Sequence, residues 1–345
     1  GIDSSWKGVI HDTASTATLS AILTAREKAS HYQINEKGFV GDKVFRVYSS
    51  SHVHSSIDKA IKIAGLGVQN LVRIPVNQEF AMIPEELEKA IVEDLKNGFY
   101  PLCVVSALGT TSSTAVDPID EISQITQKHG LWHHIDAAFA GTALILPEYQ
   151  CLMQGHEKAD SYVFNPHKWM FTNFDCTVLF LKEPQYLVNT FSLTPEYLKT
   201  QLDNEVNNYR DWGIQLGRRF RALKLWFVLR TYGLEGIREK LRNHLKLAKT
   251  VEEWISKHES LEILAPVNFN TICFRYSQAD LSVERLNVIN EKWMNEVNAS
   301  GKAFFSHTKL EGKFVIRWVI GQTDVEQKHL ESAWVLLKEK LQSIL

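Results

Sequence analysis

The chain has 345 residues, 44% hydrophobic and 23% charged, which is ordinary for a globular protein and enough for a large core and two domains. A formal net charge of -2 and a pI near 6.7 argue against nucleic acid or an anionic membrane surface as partner. Four scattered cysteines without a CxxC pair speak against a disulfide framework or zinc ribbon and for a cytoplasmic setting. No apolar run approaches the ~20 residues of a membrane span, and the start, Gly1 to Trp6, does not read as a signal peptide.

In chain order, Asp12-Thr13-Ala14-Ser15-Thr16 leads into Leu19, Ile22, Leu23 and Arg26, a helical phase that opens on a cluster of hydroxyl residues. A strand is expected over Val44–Ser49. A second helix follows His54 and runs through Ile57, Ala60 and Ile61. Leu71–Pro75 reads as the next strand. Pro84 then opens a helix with Leu87, Ile91 and Leu95 on one face. The strand Leu102–Leu108 runs into the turn Gly109-Thr110-Thr111. Asp117-Pro118 opens a helix that Gly130 stops. Leu131–Ala137, Ser161–Asn165 and Thr177–Leu181 complete the strands of this half. Strands alternating with helices predict an α/β fold, a mostly parallel sheet sandwiched by helices.

A polar stretch, Thr200–Glu205, precedes Asn207-Asn208-Tyr209-Arg210-Asp211-Trp212. From Leu216 to about Leu245 the chain reads as helical and basic. Afterwards Ala248–His258, Leu261–Leu264, Thr271–Tyr276, Val283–Ala299, Phe314–Ile320 and Val325–Leu345 alternate as helix, strand, strand, helix, strand, helix. This pattern predicts a large domain over 1–239 and a small C-terminal α+β domain over 240–345. The single sequon, Asn298-Ala299-Ser300, matters only in a secreted chain.

The chemistry concentrates around Asn165-Pro166-His167-Lys168-Trp169. Taken alone, Lys168 is a surface lysine. Here it stands in an apolar stretch and follows a strand ending in Asp136. A desolvated lysine amine can hold an aldehyde as a Schiff base, and a buried carboxylate can keep a pyridine nitrogen protonated. That pair is what a pyridoxal phosphate site needs. The small Ala138 leaves room for a flat ring on one side, and His54, at a helix start, could stack on the other. Thr13, Ala14 and Ser15 can offer backbone N–H groups and hydroxyls to a phosphate, with Asn165 as a further donor. Thr111 could reach the ring hydroxyl or the substrate carboxylate. Tyr209, in a polar loop, suggests a proton donor on a lid. The pairs His52/His54 and His133/His134 do not make a metal site: adjacent histidines on a strand face opposite ways, and neither pair has a completing ligand.

These residues, with Gly8-Val9-Ile10, His54-Ser55-Ser56, Leu108-Gly109-Thr110-Thr111, His134 to Gly141, Ala159 to Trp169, Asn173-Phe174-Asp175-Cys176 and Leu216 to Arg230, resemble the group II pyridoxal phosphate-dependent amino-acid decarboxylases. Within that group the aromatic L-amino-acid decarboxylases are most similar, over nearly the whole chain. The resemblance implies the fold-type I architecture and a homodimer with active sites at the subunit interface. It implies Lys168 as the Schiff-base lysine, Asp136 on the pyridine nitrogen and His54 stacked on the ring. Ala14, Ser15 and Asn165 fall near the phosphate, Thr111 and Ala138 around the ring, His167 near substrate, and Tyr209 matches a lid tyrosine that reaches the partner's site. Two departures stand out. The family's long N-terminal segment, which swaps across the dimer, has no counterpart here, so the chain reads as a fragment or one piece of a processed protein. Gly213 and Gln215 also stand where the family usually has Gln and Pro. The expected reaction is decarboxylation of an aromatic L-amino acid to its amine. The alternatives are an aromatic aldehyde synthase, a decarboxylase for another amino acid such as glutamate, and a pyridoxal phosphate-binding module without catalysis.

Overall fold

A computed structural model describes residues 2–193 and 206–345. Two compact units emerge. The first comprises 1–110 and 116–233, the second 111–115 and 234–345.

The first unit is built on a seven-stranded sheet. Its strands are β1 (Lys7–His11), β2 (Phe45–Ser50), β3 (Leu71–Ile74), β4 (Tyr100–Ala107), β5 (Trp132–Asp136), β6 (Ser161–Phe164) and β7 (Thr177–Leu181), in the spatial order β1-β7-β6-β5-β4-β2-β3. From β3 to β6 the pairs are parallel; β7 runs antiparallel to both β6 and β1. Both faces are covered, which is why β4 and β5 are buried along almost their whole length. On one face α1 (Ala14–Ala29), α3 (Ser56–Ile63) and α7 (Pro184–Phe191) enclose Ala17, Ile22, Ile57, Ile61, Val105 and Leu187. On the other, α4 (Pro84–Lys96) and α5 (Ile119–His129) bury Leu87, Ile91, Ile122 and Ile125 against Tyr48 and Val104. Between α1 and α3 lies the short α2 (Gln33–Lys37).

Helix boundaries follow local chemistry. Thr13 caps α1 from an extended conformation, its hydroxyl accepting the Thr16 N–H at 3.5 Å. Gly130 ends α5 in the left-handed region at φ 69°, where a β-carbon would be strained. Leu95 departs from expectation: it is exposed, so the buried stripe of α4 is carried by Leu87 and Ile91. After β6 comes α6 (Pro166–Trp169), a single turn.

The second unit carries an antiparallel sheet in the order β10-β11-β9-β8, formed by β8 (Leu261–Ile263), β9 (Thr271–Tyr276), β10 (Ser306–Leu310) and β11 (Lys313–Val319). Helices α9 (Val283–Ala299) and α10 (Gln327–Ile344) pack on it around Phe274, Trp293, Phe305 and Trp318. Helix α8 (Arg221–Ser256) breaks at Gly233, φ 62° and ψ 179°, and the two units part there, ahead of the 239/240 boundary expected from sequence. The helical phase expected from Leu216 begins at Arg221. Among the described residues, no helix is long and apolar enough to cross a membrane, and no group of three or more His, Cys, Asp or Glu side chains is disposed to hold a metal ion.

Candidate active site

The carboxyl ends of parallel strands form a rim where loops and helix starts converge, the usual location of ligands on such sheets. Asp136 ends β5 on this rim and is 8% exposed. Its Oδ1 accepts the Ala138 N–H at 3.0 Å, and its main-chain carbonyl accepts the Leu108 N–H at 2.9 Å. Ala138 then ties β5 to the next strand, its carbonyl accepting the Asn165 N–H at 3.1 Å. Beyond Asn165, Pro166 opens α6 and presents Lys168 as an exposed residue one turn from the end of β6. Under that turn, Trp169 is 1% exposed and stacks on Phe139, ring centroids 5.3 Å apart and planes 7° apart.

His54 stands just before α3 and its Nδ1 accepts the Ser56 N–H at 3.1 Å, which leaves Nε2 to carry the proton of the neutral ring. Partial burial holds this imidazole below its ordinary value; the Asp136 carboxylate opposes the shift and the Lys168 charge reinforces it. Thus Asp136 and Lys168, 82 and 114 residues further along the chain, both lie within electrostatic reach of His54. His167 belongs to the same turn. Its Nδ1 accepts the Cys176 N–H at 2.8 Å and its ring meets Phe174 edge-on at 4.8 Å. Burial lowers its pKa, and Lys168 adds to the effect.

The start of α1 is joined to this rim. The Thr177 hydroxyl lies 2.7 Å from Asn165 Oδ1 and 3.1 Å from the Asp12 carbonyl. Thr13, Ala14, Ser15 and Asn165 therefore cluster at one end, where the first turn of α1 leaves N–H groups without intrahelical acceptors. The residue types suit a pyridoxal phosphate: a helix start with hydroxyls for the phosphate, a carboxylate for the ring nitrogen, an amine for the aldehyde.

Two expected residues enter none of the hydrogen bonds just described. Thr111 opens the segment 111–115, which groups with the second unit, and is exposed. Tyr209 lies in a short 3-10 turn over Tyr209–Asp211. Its ring packs on Trp212, centroids 5.4 Å apart, and its carbonyl accepts from Arg218 Nε at 2.8 Å. The polar stretch Thr200–Glu205 lies outside the described residues. Sequence reading passed over Thr177 and Asp12; a strand threonine and a carboxylate ahead of a cap carry no signal until the sheet brings them together.

A sheet rim with these groups is that of a pyridoxal-dependent enzyme, and comparison with known proteins agrees. The profile of the "Pyridoxal-dependent decarboxylase conserved domain" matches residues 3–277. The chain belongs to this pyridoxal-dependent decarboxylase family. It is 41% identical over 343 residues to tryptophan decarboxylase 2 of Oryza sativa subsp. japonica, covering 98% of this chain and 68% of that protein. It is also 41% identical to a phenylacetaldehyde synthase of Arabidopsis thaliana, covering 98% and 69%. The crystal structure of Oryza sativa TDC with PLP and tryptamine superposes with a TM-score of 0.94 at 34% identity, covering 98% of this chain and 71% of that one.

Proposed function

We propose that the whole protein decarboxylates an aromatic L-amino acid to its amine and CO₂, with pyridoxal phosphate held at this rim. The convergence of Lys168, Asp136 and His54 carries the reading. Lys168 would anchor the aldehyde through its amine, and Asp136 would hold the ring nitrogen protonated. His54 and Ala138 would flank the ring, while Thr13, Ala14, Ser15 and Asn165 would hold the phosphate. Bound there, the cofactor supplies an electron sink for the pair released when the carboxylate leaves. The chain's own part is orientation and proton placement. His167 faces the substrate side with Nε2 as its donor. Thr111 belongs to the proposal as a substrate-side or ring-hydroxyl contact.

The resemblance assigns Tyr209 as donor of the proton to the substrate carbon. The packing of its ring on Trp212 makes this the assignment most in need of a test. With molecular oxygen as oxidant, Tyr209→Phe should shift product from amine toward aldehyde, ammonia and hydrogen peroxide; unchanged amine would move the role elsewhere. Tyr197, in the segment outside the described residues, is the comparison substitution.

A homodimer and a cytoplasmic setting complete the proposal. Exposed Phe220, just ahead of α8, and exposed Trp226 and Phe227 on its first half support the former, four free cysteines the latter. The relative named as an aldehyde synthase supports oxidative decarboxylation as second reading. Mass spectrometry of products from L-tyrosine, L-DOPA, L-tryptophan, L-phenylalanine and L-glutamate decides. Aromatic amine without peroxide is expected; aldehyde with peroxide would replace the reading, and no product from any aromatic substrate would end it.

A further inference from the structure

We propose that Asp12 is an affinity-determining residue for the phosphate end of the cofactor site, a fixed negative charge against the start of α1 that loosens the hold on a phosphate-bearing ligand. The inference rests on the cofactor reading above.

The Asp12 carboxylate touches one of the groups assigned to the phosphate. Its Oδ1 accepts the Thr13 N–H at 2.7 Å. Its Oδ2 accepts Gln215 Nε2 at 3.0 Å, so the side chain is fastened from two sides. Burial acts to raise its pKa, but hydrogen bonds from Thr16, Thr13 and Gln215, with the Arg221 charge, outweigh it and hold the carboxyl below the usual range. The group is ionised at neutral pH.

Nothing in the cradle offsets that charge directly. Thr13, Ala14, Ser15 and Asn165 are all neutral. Arg221 and Arg218 act on Asp12 only through their charge and do not hydrogen-bond it: Arg221 donates to Asp175 at 2.8 and 3.3 Å, and Arg218 to the carbonyls of Tyr209 at 2.8 Å and Ile10 at 3.0 Å. A helix start favours one anion through its N–H groups and dipole. Here an anion of the chain already draws on that field, and a phosphate would enter against a like charge. Gln215 is the positioning residue that keeps the carboxylate turned to the cradle.

The test uses the full protein stripped of cofactor and titrated by absorbance with pyridoxal phosphate and, separately, with pyridoxal, which lacks the phosphate. Asp12→Asn keeps the shape and an acceptor for the Thr13 N–H; Asp12→Ser removes the charge by a second route. Both should tighten pyridoxal phosphate about tenfold, the order expected for removing a like charge at close range in a partly exposed site. Pyridoxal affinity should not move, and the gain should shrink in high salt. An unchanged or weakened pyridoxal phosphate affinity in both variants, or an equal shift for both aldehydes, would overturn the role of Asp12. If neither aldehyde bound the unsubstituted protein, the cofactor reading itself would fall and take this inference with it.

Discussion

The interior of β5 and its carboxyl end use polar residues in opposite ways. In the interior, His133 lies between the hydroxyls of Ser106 and Ser123 at 2.7 and 3.0 Å, and His134 between Thr18 and Ser161 at 3.2 and 2.8 Å. Both rings are fully buried, and burial drives their pKa values down to about 3 and about 4. Each is a neutral ring with both nitrogens spoken for; His134 binds β5 to α1 and β6, and His133 binds it to α5 and β4. At the carboxyl end a buried carboxylate, Asp136, and an exposed amine, Lys168, both act on the ring of His54. One strand thus separates residues that hold the fold from residues with chemistry to spare.

Substitutions at the two places should fail differently. Lys168→Ala is expected to abolish the visible absorbance of the bound cofactor and cut turnover by roughly three orders of magnitude or more, with little change in unfolding free energy. A retained band would remove Lys168 from its role. Asp136→Asn keeps the shape but not the charge, and should lower turnover by about a hundredfold to a thousandfold, the range for losing one preorganised electrostatic partner. Steady-state kinetics with near-normal turnover would sink it.

The interior makes a pH prediction. For His133 and His134 the folded pKa lies below the unfolded value near 6.5, so the unfolded chain takes up protons that the folded one refuses. Their contribution to stability is complete above that value and is lost as pH falls toward 4. At pH 5 the loss should be roughly 2 kcal/mol for each ring relative to pH 7.5. Urea midpoints should record the same slope in the unsubstituted protein and in Lys168→Ala; a flat profile would mean the rings are not shielded as described. The smallest expected effect sharpens the boundary between the two places. Thr18→Val should cost about 1 kcal/mol in the same assay by leaving His134 one partner short.

Much of this division is legible in the sequence. The parallel strands announce themselves as runs of Val, Ile and aromatics separated by amphipathic helices, and β7, β9 and α9 fall on their expected bounds. Strands β1 and β10 escape notice for a physical reason: Lys7-Gly8-Val9-Ile10-His11 and Ser306-His307-Thr308-Lys309-Leu310 are short and partly polar, and become strands through pairing with β7 and β11. Lys168 and Asp136 can be read because their neighbours are so apolar that a charge there needs a reason. Asp12 and Thr177 cannot, since their meaning lies in a meeting across the β1–β7 pair. Tyr209 shows the converse case, a residue whose motif is plain and whose ring is engaged with Trp212.

Thr177 has one proton and two oxygens within reach, and this fixes more than a distance. By giving that proton to Asn165 Oδ1, the shorter of the two contacts, it determines which way the Asn165 amide faces, with its NH₂ turned away. A hydroxyl buried in a strand thereby sets the polarity of a side chain on the neighbouring turn, offering a donor to whatever anion arrives. In Thr177→Val the amide could rotate and present its oxygen instead, so pyridoxal phosphate should bind more weakly with pyridoxal unaffected, a result the paired titration would detect.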